Sequence, residues 1–252
     1  MTLFLYLQSM KKFGLIGRNI GYSFSRKYFA EKFKNLSITD CSYENFDIEN
    51  ITSVPDILTL PQLVGVNVTI PYKQEIIPYL DEISEEAQTI GAVNTVTIQN
   101  GKTKGYNTDA FGFRQALEHH WNPCIHQNAK ALILGDGGAA KAIHFVFNKM
   151  NIPWTTVSRK SEIHFENLSH HMVSEHLLII QCTPVGTFPN VEETLPFPFE
   201  AITQQHFIMD LIYNPSETLF MKKCKEKGAA VINGEEMLIG QAEKAWEIWN
   251  AR

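Results

Sequence analysis

The sequence has few cysteines, and they lie far apart. Cys41, Cys124, Cys182 and Cys224 form no CxxC pair. Zinc sites and disulfide scaffolds need closely spaced or paired cysteines. We therefore expect reduced, buried thiols in place of a metal site or a disulfide framework.

Basic runs and long apolar runs are also missing. The net charge of −5 and an isoelectric point near 6.0 argue against a nucleic-acid or membrane partner. The apolar opening Met1–Leu7 is too short to span a bilayer, and Lys11 and Lys12 follow it rather than precede it. We expect a cytoplasmic protein, with residues 1–9 as a disordered extension and Met10 as the true start.

The nine histidines give no metal-binding signature. Several lie in the stretch His164–His176, but none falls in an HExxH pattern. We interpret this stretch as a polar, solvated connection. Internal repeats and low-complexity segments are also missing from the sequence.

The most informative segment that is present is Gly65-Val-Asn-Val-Thr-Ile-Pro-Tyr-Lys73. Alternating valines predict a strand from Val64 to Thr69 with one buried face, and Pro71 ends it. Asn67 and Thr69 then share the other face, and Lys73 follows. Amide, hydroxyl and ammonium groups suit an oxygen-rich ligand and proton transfer. An edge strand with a polar face and a solvated lysine would explain the same pattern.

The rest of the first half mixes strands and helices. Asn100-Gly101 predicts a hairpin between the runs 92–98 and 102–106. We also expect a strand at 13–17 and helices at 25–33, 47–60 (capped by Asp47), 82–88 and 109–121.

The second half alternates strands with helices, which indicates a parallel sheet with right-handed crossovers. Strands are expected at 129–134, 154–158, 177–181, 207–211 and 229–232, and helices at 137–150, 217–227 and 234–249. The fold class is therefore α/β, with domain boundaries near residues 107 and 233.

A glycine-rich turn follows the apolar run at 129–134. In Gly135-Asp136-Gly137-Gly138-Ala139-Ala140, Gly135 permits a tight turn and Gly137 lets a pyrophosphate approach the backbone. The following helix N-terminus favours phosphate binding. A simple tight turn is the alternative.

The next strand ends in Ser158-Arg159-Lys160. A site for NAD has a carboxylate there to hold the ribose 2′-hydroxyl, whereas positive charge accommodates the 2′-phosphate of NADP. The tripeptide has a hydroxyl and two cations, so it points to NADP. Two exposed basic residues on a loop are the alternative.

Further polar clusters end other predicted elements. Ser23 and Ser25 precede a helix and suit a carboxylate, although Ser25 would also serve as a simple N-cap. The segments 91–95 and 105–109 add Asn94, Asn107 and Asp109. Several such clusters in one half suggest a hydroxyl-rich ligand.

Together these residues resemble the shikimate dehydrogenase family, in order from Phe13 to Trp249. Further landmarks are Thr183-Pro-Val-Gly186, Asp210-Leu-Ile-Tyr213-Asn-Pro215 and Met237-Leu-Ile-Gly-Gln241. The resemblance implies reversible, NADPH-dependent reduction of 3-dehydroshikimate to shikimate in aromatic amino-acid (chorismate) biosynthesis. It implies a substrate-binding domain at 1–107, to which a C-terminal helix at 234–252 returns, a Rossmann-type NADP-binding domain at 108–233, and a cleft between them.

The resemblance also implies the roles of site residues. Lys73 and Asp109 would be the catalytic pair. Substrate would be bound by Ser23, Ser25, Asn67, Thr69, Asn94, Tyr213 and Gln241, with Asp109 also contacting it. NADP(H) would be bound by Gly135, Asp136, Gly137, Gly138, Ala139, Ser158, Arg159, Lys160, Leu211 and Gly234. No metal is expected.

The sequence departs from the family pattern at three places. Tyr22-Ser-Phe-Ser-Arg26 replaces His-Ser-x-Ser-Pro, Ser158-Arg-Lys160 replaces Asn-Arg-Thr, and Gln181-Cys-Thr183 replaces Asn-Thr-Thr. Three alternatives remain open: a broader quinate/shikimate dehydrogenase, a methylenetetrahydrofolate dehydrogenase and a non-catalytic NADP-binding regulator. We expect a monomer or homodimer.

Overall fold

The computed structural model describes residues 10–21, 23–121 and 129–251. The expectation of a disordered extension at residues 1–9 therefore falls outside the described residues, as do Tyr22 and Cys124. The described chain forms two compact units. The first holds residues up to Thr108 together with those from Ala242 onward, and the second is Asp109–Gln241. The second boundary between the units lies between Gln241 and Ala242, inside the last helix, whereas the sequence placed it near residue 233. The substrate and cofactor roles of these units stay predictions.

The first unit contains a six-stranded mixed sheet and three helices. Its strands are β1 (Lys11–Gly17), β2 (Cys41–Asp47), β3 (Leu63–Val68), β4 (Glu82–Ile83), β5 (Thr95–Gln99) and β6 (Lys102–Tyr106). Its helices are α1 (Phe24–Asn35), α2 (Val54–Leu58) and α3 (Glu85–Ile90). The strand order is β2-β1-β3-β5-β6-β4, so β3 lies inside the sheet. It pairs parallel with β1 and antiparallel with β5. The edge-strand alternative is therefore wrong.

Both faces of β3 are covered, which explains its glycine. A β-carbon on Gly65 would collide with the Trp249 indole and come within 2.8 Å of the Val96 carbonyl oxygen. The Trp249 indole N–H donates to that carbonyl at 3.0 Å. Trp249 also packs against Phe13, with ring centroids 4.9 Å apart, and completes an aromatic core with Phe29. The expectation of a single buried face was too simple.

The second unit contains a five-stranded, fully parallel sheet. Its strands are β7 (Ala131–Leu134), β8 (Trp154–Val157), β9 (Leu178–Gln181), β10 (Phe207–Asp210) and β11 (Ala230–Ile232). They lie in the order β11-β10-β9-β7-β8. All residues of β7 and β9 are buried, as is typical of parallel strands covered on both faces. The predicted α/β class, with a parallel, Rossmann-type sheet in the second part of the chain, is confirmed. The order reverses between β7 and β9, where ligands bind in such folds.

Within the part of the chain that the structure describes, five further helices begin in the second unit. They are α4 (Asp109–His120), α5 (Gly138–Lys149), α6 (His170–Glu175), α7 (Leu219–Glu226) and α8 (Glu235–Asn250). The last of these continues from the second unit into the residues that complete the first. Among the described residues, no helix has the length and apolar character needed to cross a membrane.

The helix expected over 47–60 is wrong in its first half. Asp47 ends strand β2, and only a one-turn 3-10 helix at Ile51–Ser53 and the short α2 follow. The Asp47 carboxylate accepts the backbone N–H groups of Asn19 and Ile20, at 2.8 and 3.0 Å. It therefore stabilises the turn after β1 and does not cap a helix. Similarly, the helix expected at 82–88 begins only at Glu85, after the short strand β4.

The interpretation of His164–His176 as a solvated connection is also wrong. The segment contains α6, and the His176 side chain is buried. Its imidazole lies 2.6 Å from the Met172 carbonyl oxygen and 3.2 Å from the Thr155 hydroxyl. Burial lowers the pKa of His176. The cysteines within the described residues are free, and Cys224 is buried as expected, whereas Cys41 and Cys182 are half-buried.

Candidate active site

The first unit joins two predicted substrate residues in one hydrogen-bond network. The Asn67 amide lies on β3, and its Nδ2 donates to the Asn94 carbonyl oxygen at 3.3 Å and to Thr95 Oγ1 at 3.1 Å. Its Oδ1 accepts the Tyr43 hydroxyl proton at 2.8 Å. These bonds fix the orientation of the Asn67 amide, because its oxygen and nitrogen have different partners.

Asn94 extends the network to the end of the first unit. Its Oδ1 accepts the backbone N–H of Thr108 at 2.7 Å, and its Nδ2 donates to Thr108 Oγ1 at 3.0 Å. Asn94, Thr95 and Thr108 are all buried. The chain therefore leaves the first unit in a fixed position, with Asp109 as the next residue.

Ser23 and Ser25 lie at the start of α1, as predicted, but their roles differ from the simplest expectation. Ser23, not Ser25, is the N-cap, with its Oγ 3.4 Å from the Arg26 backbone N–H. A hydrogen bond with Ser25 lowers the pKa of the buried Tyr43, although burial has the larger effect and raises that pKa. Ser25 therefore touches the residue that holds Asn67.

Thr69 and Lys73 follow β3 in a turn. The Thr69 N–H donates to the Ile16 carbonyl at 2.9 Å, and the Lys73 carbonyl accepts the Val93 N–H at 2.7 Å. Thr69 and Lys73 are half-buried. Because Val93 precedes Asn94, the backbone places Lys73 beside the segment that carries the polar network.

Asp109 and Gln241 belong to the second unit. Asp109 is 2% exposed and begins α4. One turn later, a β-carbon on Gly112 would come within 2.9 Å of the Gln241 backbone nitrogen. This close approach places Gln241, on α8, beside the first turns of α4.

The glycine-rich turn has the geometry expected of a phosphate loop. Gly135 has φ +114, a conformation that side-chain-bearing residues rarely adopt. Gly137 caps α5 without a side chain, and a β-carbon there would meet no protein atom within 4 Å. The open space and the helix N-terminus suit a pyrophosphate. These residues fit the cofactor inferred from sequence.

The tripeptide Ser158–Lys160 forms the neighbouring loop. The buried Ser158 hydroxyl donates to Asp136 Oδ2 at 3.2 Å and accepts the backbone N–H groups of Lys160 and Ser161, at 3.0 and 3.1 Å. Ser158 therefore shapes the loop, while the Arg159 and Lys160 side chains are exposed. The Asp136 carboxylate lies beside the same loop.

Leu211 and Gly234 are both predicted to lie near the nicotinamide, and their backbones are in close contact. A β-carbon on Gly234 would come within 2.5 Å of the Leu211 carbonyl carbon. The Gly234 N–H donates to the Ile212 carbonyl at 3.1 Å. Tyr213 follows on the same loop and is 37% exposed.

Asp210 supports this loop from strand β10. It is fully buried, and its carboxylate accepts the Thr218 hydroxyl at 2.7 Å and the Ile212 N–H at 3.0 Å. Burial raises the pKa of Asp210 to about 6, although the two hydrogen bonds oppose the rise. The carboxyl group therefore titrates in a range where an exposed aspartate is already ionised.

The sequence interpretation missed Tyr43 and Ser161, which hold Asn67 and Ser158 in place. Tyr43 lies on β2, which was not predicted, and nothing in its sequence neighbours links it to Asn67. Ser161 could have been suspected, because a serine three residues after a strand end often stabilises a turn.

Comparisons with known proteins agree with this arrangement. Residues 15–96 match the family model described as the shikimate dehydrogenase substrate binding domain. The chain is 38% identical to the NADP(+)-dependent shikimate dehydrogenase of Clostridium beijerinckii over 95% of this chain and 92% of the relative. It is 39% identical to the Methanococcus maripaludis enzyme of the same name, over 96% and 92% of the two chains.

A solved structure shows the same likeness in three dimensions. The shikimate 5-dehydrogenase of Thermus thermophilus, crystallised in complex with NADP(H) and shikimate, matches with a TM-score of 0.85 and 31% identity. The match covers 96% of this chain and 94% of that one.

Proposed function

Because the chain belongs to the shikimate dehydrogenase family, we propose that it catalyses the reversible, NADPH-dependent reduction of 3-dehydroshikimate to shikimate in aromatic amino-acid biosynthesis. The protein is an NADP-dependent oxidoreductase. The observation that carries the proposal is the full-length likeness to enzymes of this name, with the expected polar and glycine residues in order along the chain.

Substrate binding would use hydroxyl and amide side chains predicted from the sequence. Ser23, Ser25 and Tyr213 are hydroxyl donors suited to the substrate carboxylate. The ring hydroxyls would be bound by Asn67, Thr69, Asn94 and Gln241. The amide orientation fixed by Tyr43 supports this role for Asn67, because a preorganised amide loses little entropy when a ligand binds.

NADPH would be held by the loop 135–139, by Arg159 and Lys160 at its 2′-phosphate, and by Leu211 and Gly234 at its nicotinamide end. When bound, it supplies the hydride. The open space at Gly137 and the N-terminus of α5 support the pyrophosphate position. Ser158 would act by positioning the two cations, because its hydroxyl already has three partners.

Lys73 and Asp109 would carry the proton chemistry. As the ring ketone becomes an alkoxide, the Lys73 ammonium would stabilise the negative charge and donate a proton. In the reverse direction its amine would accept the hydroxyl proton. The Asp109 carboxylate would hydrogen-bond the same substrate hydroxyl and orient Lys73.

The proposal is tested by mixing the protein with NADPH and 3-dehydroshikimate and following the nicotinamide absorbance. We expect the absorbance to fall, and to rise when shikimate and NADP+ are supplied instead. A methylenetetrahydrofolate dehydrogenase or a non-catalytic NADP-binding regulator would give no change. Comparing quinate with shikimate as the alcohol substrate would show whether the pocket also accepts the additional hydroxyl of quinate.

A further inference from the structure

Two histidines and a glutamate meet on the surface of the second unit, at the end of α4 and the start of α8. Helix α4 ends with His119 and His120, and Glu236 lies in the first turn of α8. His119 Nδ1 is 2.8 Å from Glu236 Oε1, and His120 Nε2 is 2.6 Å from Oε2. The three potential ligand atoms lie within 4.8 Å of one another.

We propose that this cluster is a binding site for a divalent transition-metal ion of the Zn²⁺ class. Two imidazole nitrogens and one carboxylate oxygen form a donor set that such ions prefer over Mg²⁺ or Ca²⁺. Ligand atoms around a tetrahedral zinc ion lie about 3.3 Å apart, given bonds of about 2.0–2.1 Å. Small side-chain rotations would bring atoms within 4.8 Å to that spacing.

The electrostatics of the cluster suit a cation. Partial burial alone would raise the pKa of Glu236, but hydrogen bonds from His119 and His120 outweigh it and lower that pKa. The carboxylate is therefore ionised and already holds both imidazoles by its two oxygens. A metal ion would replace the two hydrogen bonds with bonds from one nitrogen of each ring, and water would complete its coordination.

The site is accessible, and its ligands come from two helices. The side chains of His119, His120 and Glu236 are 69%, 36% and 32% exposed. An ion could therefore enter without unfolding of the chain. Because it would connect the end of α4 to the start of α8, it would stabilise the folded state, by an amount that rises with the logarithm of the ion concentration above the dissociation constant. This inference does not depend on the proposed enzymatic activity.

The test uses the full chain, stripped of metal with a chelator and dialysed. Zinc chloride is titrated by calorimetry, and the melting temperature is followed with increasing zinc. We expect one equivalent of zinc to bind and the melting temperature to rise. His120→Ala and Glu236→Gln should each weaken binding by about tenfold or more.

His171→Ala is the matched control. His171 is also exposed and lies 3.8 Å from a glutamate, Glu175, but it has no second histidine in that pair. This variant should bind zinc as the unmodified chain does. Equal loss in His171→Ala, equal binding in all variants, or no zinc uptake at about tenfold molar excess would overturn the proposal.

The absorption spectrum of bound cobalt(II) distinguishes binding at this cluster from binding at a cysteine. Nitrogen and oxygen ligands give only weak visible bands, whereas thiolates add a strong charge-transfer band. We expect weak bands that disappear in Glu236→Gln. A thiolate band would place the ion at a cysteine and would overturn the assignment.

Discussion

Gly234 packs directly against the Leu211 backbone, so closely that a β-carbon at position 234 would lie within 2.5 Å of the Leu211 carbonyl carbon. A Gly234→Ala variant must therefore separate two backbone segments. We expect it to lower the melting temperature by several degrees, since about 1 kcal/mol shifts it by roughly 2–4 °C in a chain of this size. Thermal denaturation followed by circular dichroism measures the change.

Gly137→Ala is the contrasting glycine variant, because its β-carbon would meet no protein atom. It should lower the melting temperature much less than Gly234→Ala, by no more than the loss of a glycine N-cap, but weaken NADPH binding, which fluorescence titration measures. If Gly137→Ala binds NADPH normally, the pyrophosphate does not approach this glycine. If Gly234→Ala is fully stable, the backbone at position 234 adjusts more easily than the packing indicates.

Lys73→Ala should lose much more turnover than substrate affinity. General acid–base catalysis contributes about 10²–10⁴-fold to rates, and Lys73 is the proposed proton donor. Steady-state kinetics with shikimate and NADP+ would show a large fall in kcat with a small change in KM. Lys104→Ala is the control, because Lys104 is a half-buried lysine on β6 that pairs with Glu82 at 3.1 Å. A kcat within about threefold of normal, under about 1 kcal/mol, would exclude Lys73 as the proton donor.

Arg159→Ala should raise the KM for NADPH much more than the KM for NADH. The proposed partner of the exposed Arg159 side chain is the 2′-phosphate, which only NADPH carries. Both constants are measured with saturating 3-dehydroshikimate. Arg114→Ala, which removes an exposed arginine paired with Glu118 at 2.8 Å, should change neither. Equal increases for the two cofactors in Arg159→Ala would remove Arg159 from the phosphate site.

Asp136→Asn should increase the preference for NADPH over NADH, whereas Arg159→Ala should decrease it. The Asp136 carboxylate accepts the Ser158 hydroxyl beside the two loop cations, so it would repel a bound 2′-phosphate. Asparagine keeps an oxygen to accept the same hydrogen bond but removes the charge. We expect the ratio of kcat/KM for NADPH over NADH to rise about fivefold, equal to about 1 kcal/mol. A ratio that falls would contradict repulsion by this carboxylate.

Asp210→Asn should change how stability depends on pH. Because burial raises the pKa of Asp210 from 3.8 to about 6 in the folded state, only the unfolded chain loses this proton between those values. The contribution of Asp210 to folding is therefore fully present below pH about 4 and decreases as pH rises to about 6, by roughly 3 kcal/mol in total.

The asparagine variant lacks this titration and can still bond Thr218 and the Ile212 N–H. Urea unfolding at several pH values should show the unmodified chain losing stability relative to Asp210→Asn across that window. A constant difference between the two proteins from pH 4 to 6 would mean that the Asp210 pKa is not raised.

Local signals predicted much of the fold. Asn100-Gly101 correctly predicted the β5–β6 hairpin, and both residues have positive φ, at 53 and 75. The continuous apolar run before Gly135 correctly predicted a strand covered on both faces. In such segments, residue chemistry and the final environment agree, so short-range reasoning is sufficient.

Strand β2 could not be predicted in the same way. Its sequence, Cys-Ser-Tyr-Glu-Asn-Phe-Asp, contains few apolar residues, and it pairs with β1 as an outer strand of the sheet. Its stability therefore depends on a partner distant in sequence. Tyr43 could not be predicted for the same reason. Only the parallel pairing of β1 with both β2 and β3 brings Tyr43 to Asn67.

Because Trp249 lies in the core of the first unit, that core can close only late in the synthesis of the chain. A ribosome makes Gly65 and Phe13 early, but the indole that covers them is made only after the whole second unit. The first unit to be translated is thus the last whose hydrophobic core can be closed. Until Trp249 has been made, the sheet of the first unit has an uncovered apolar face. Chaperones bind such a face, and it also promotes aggregation.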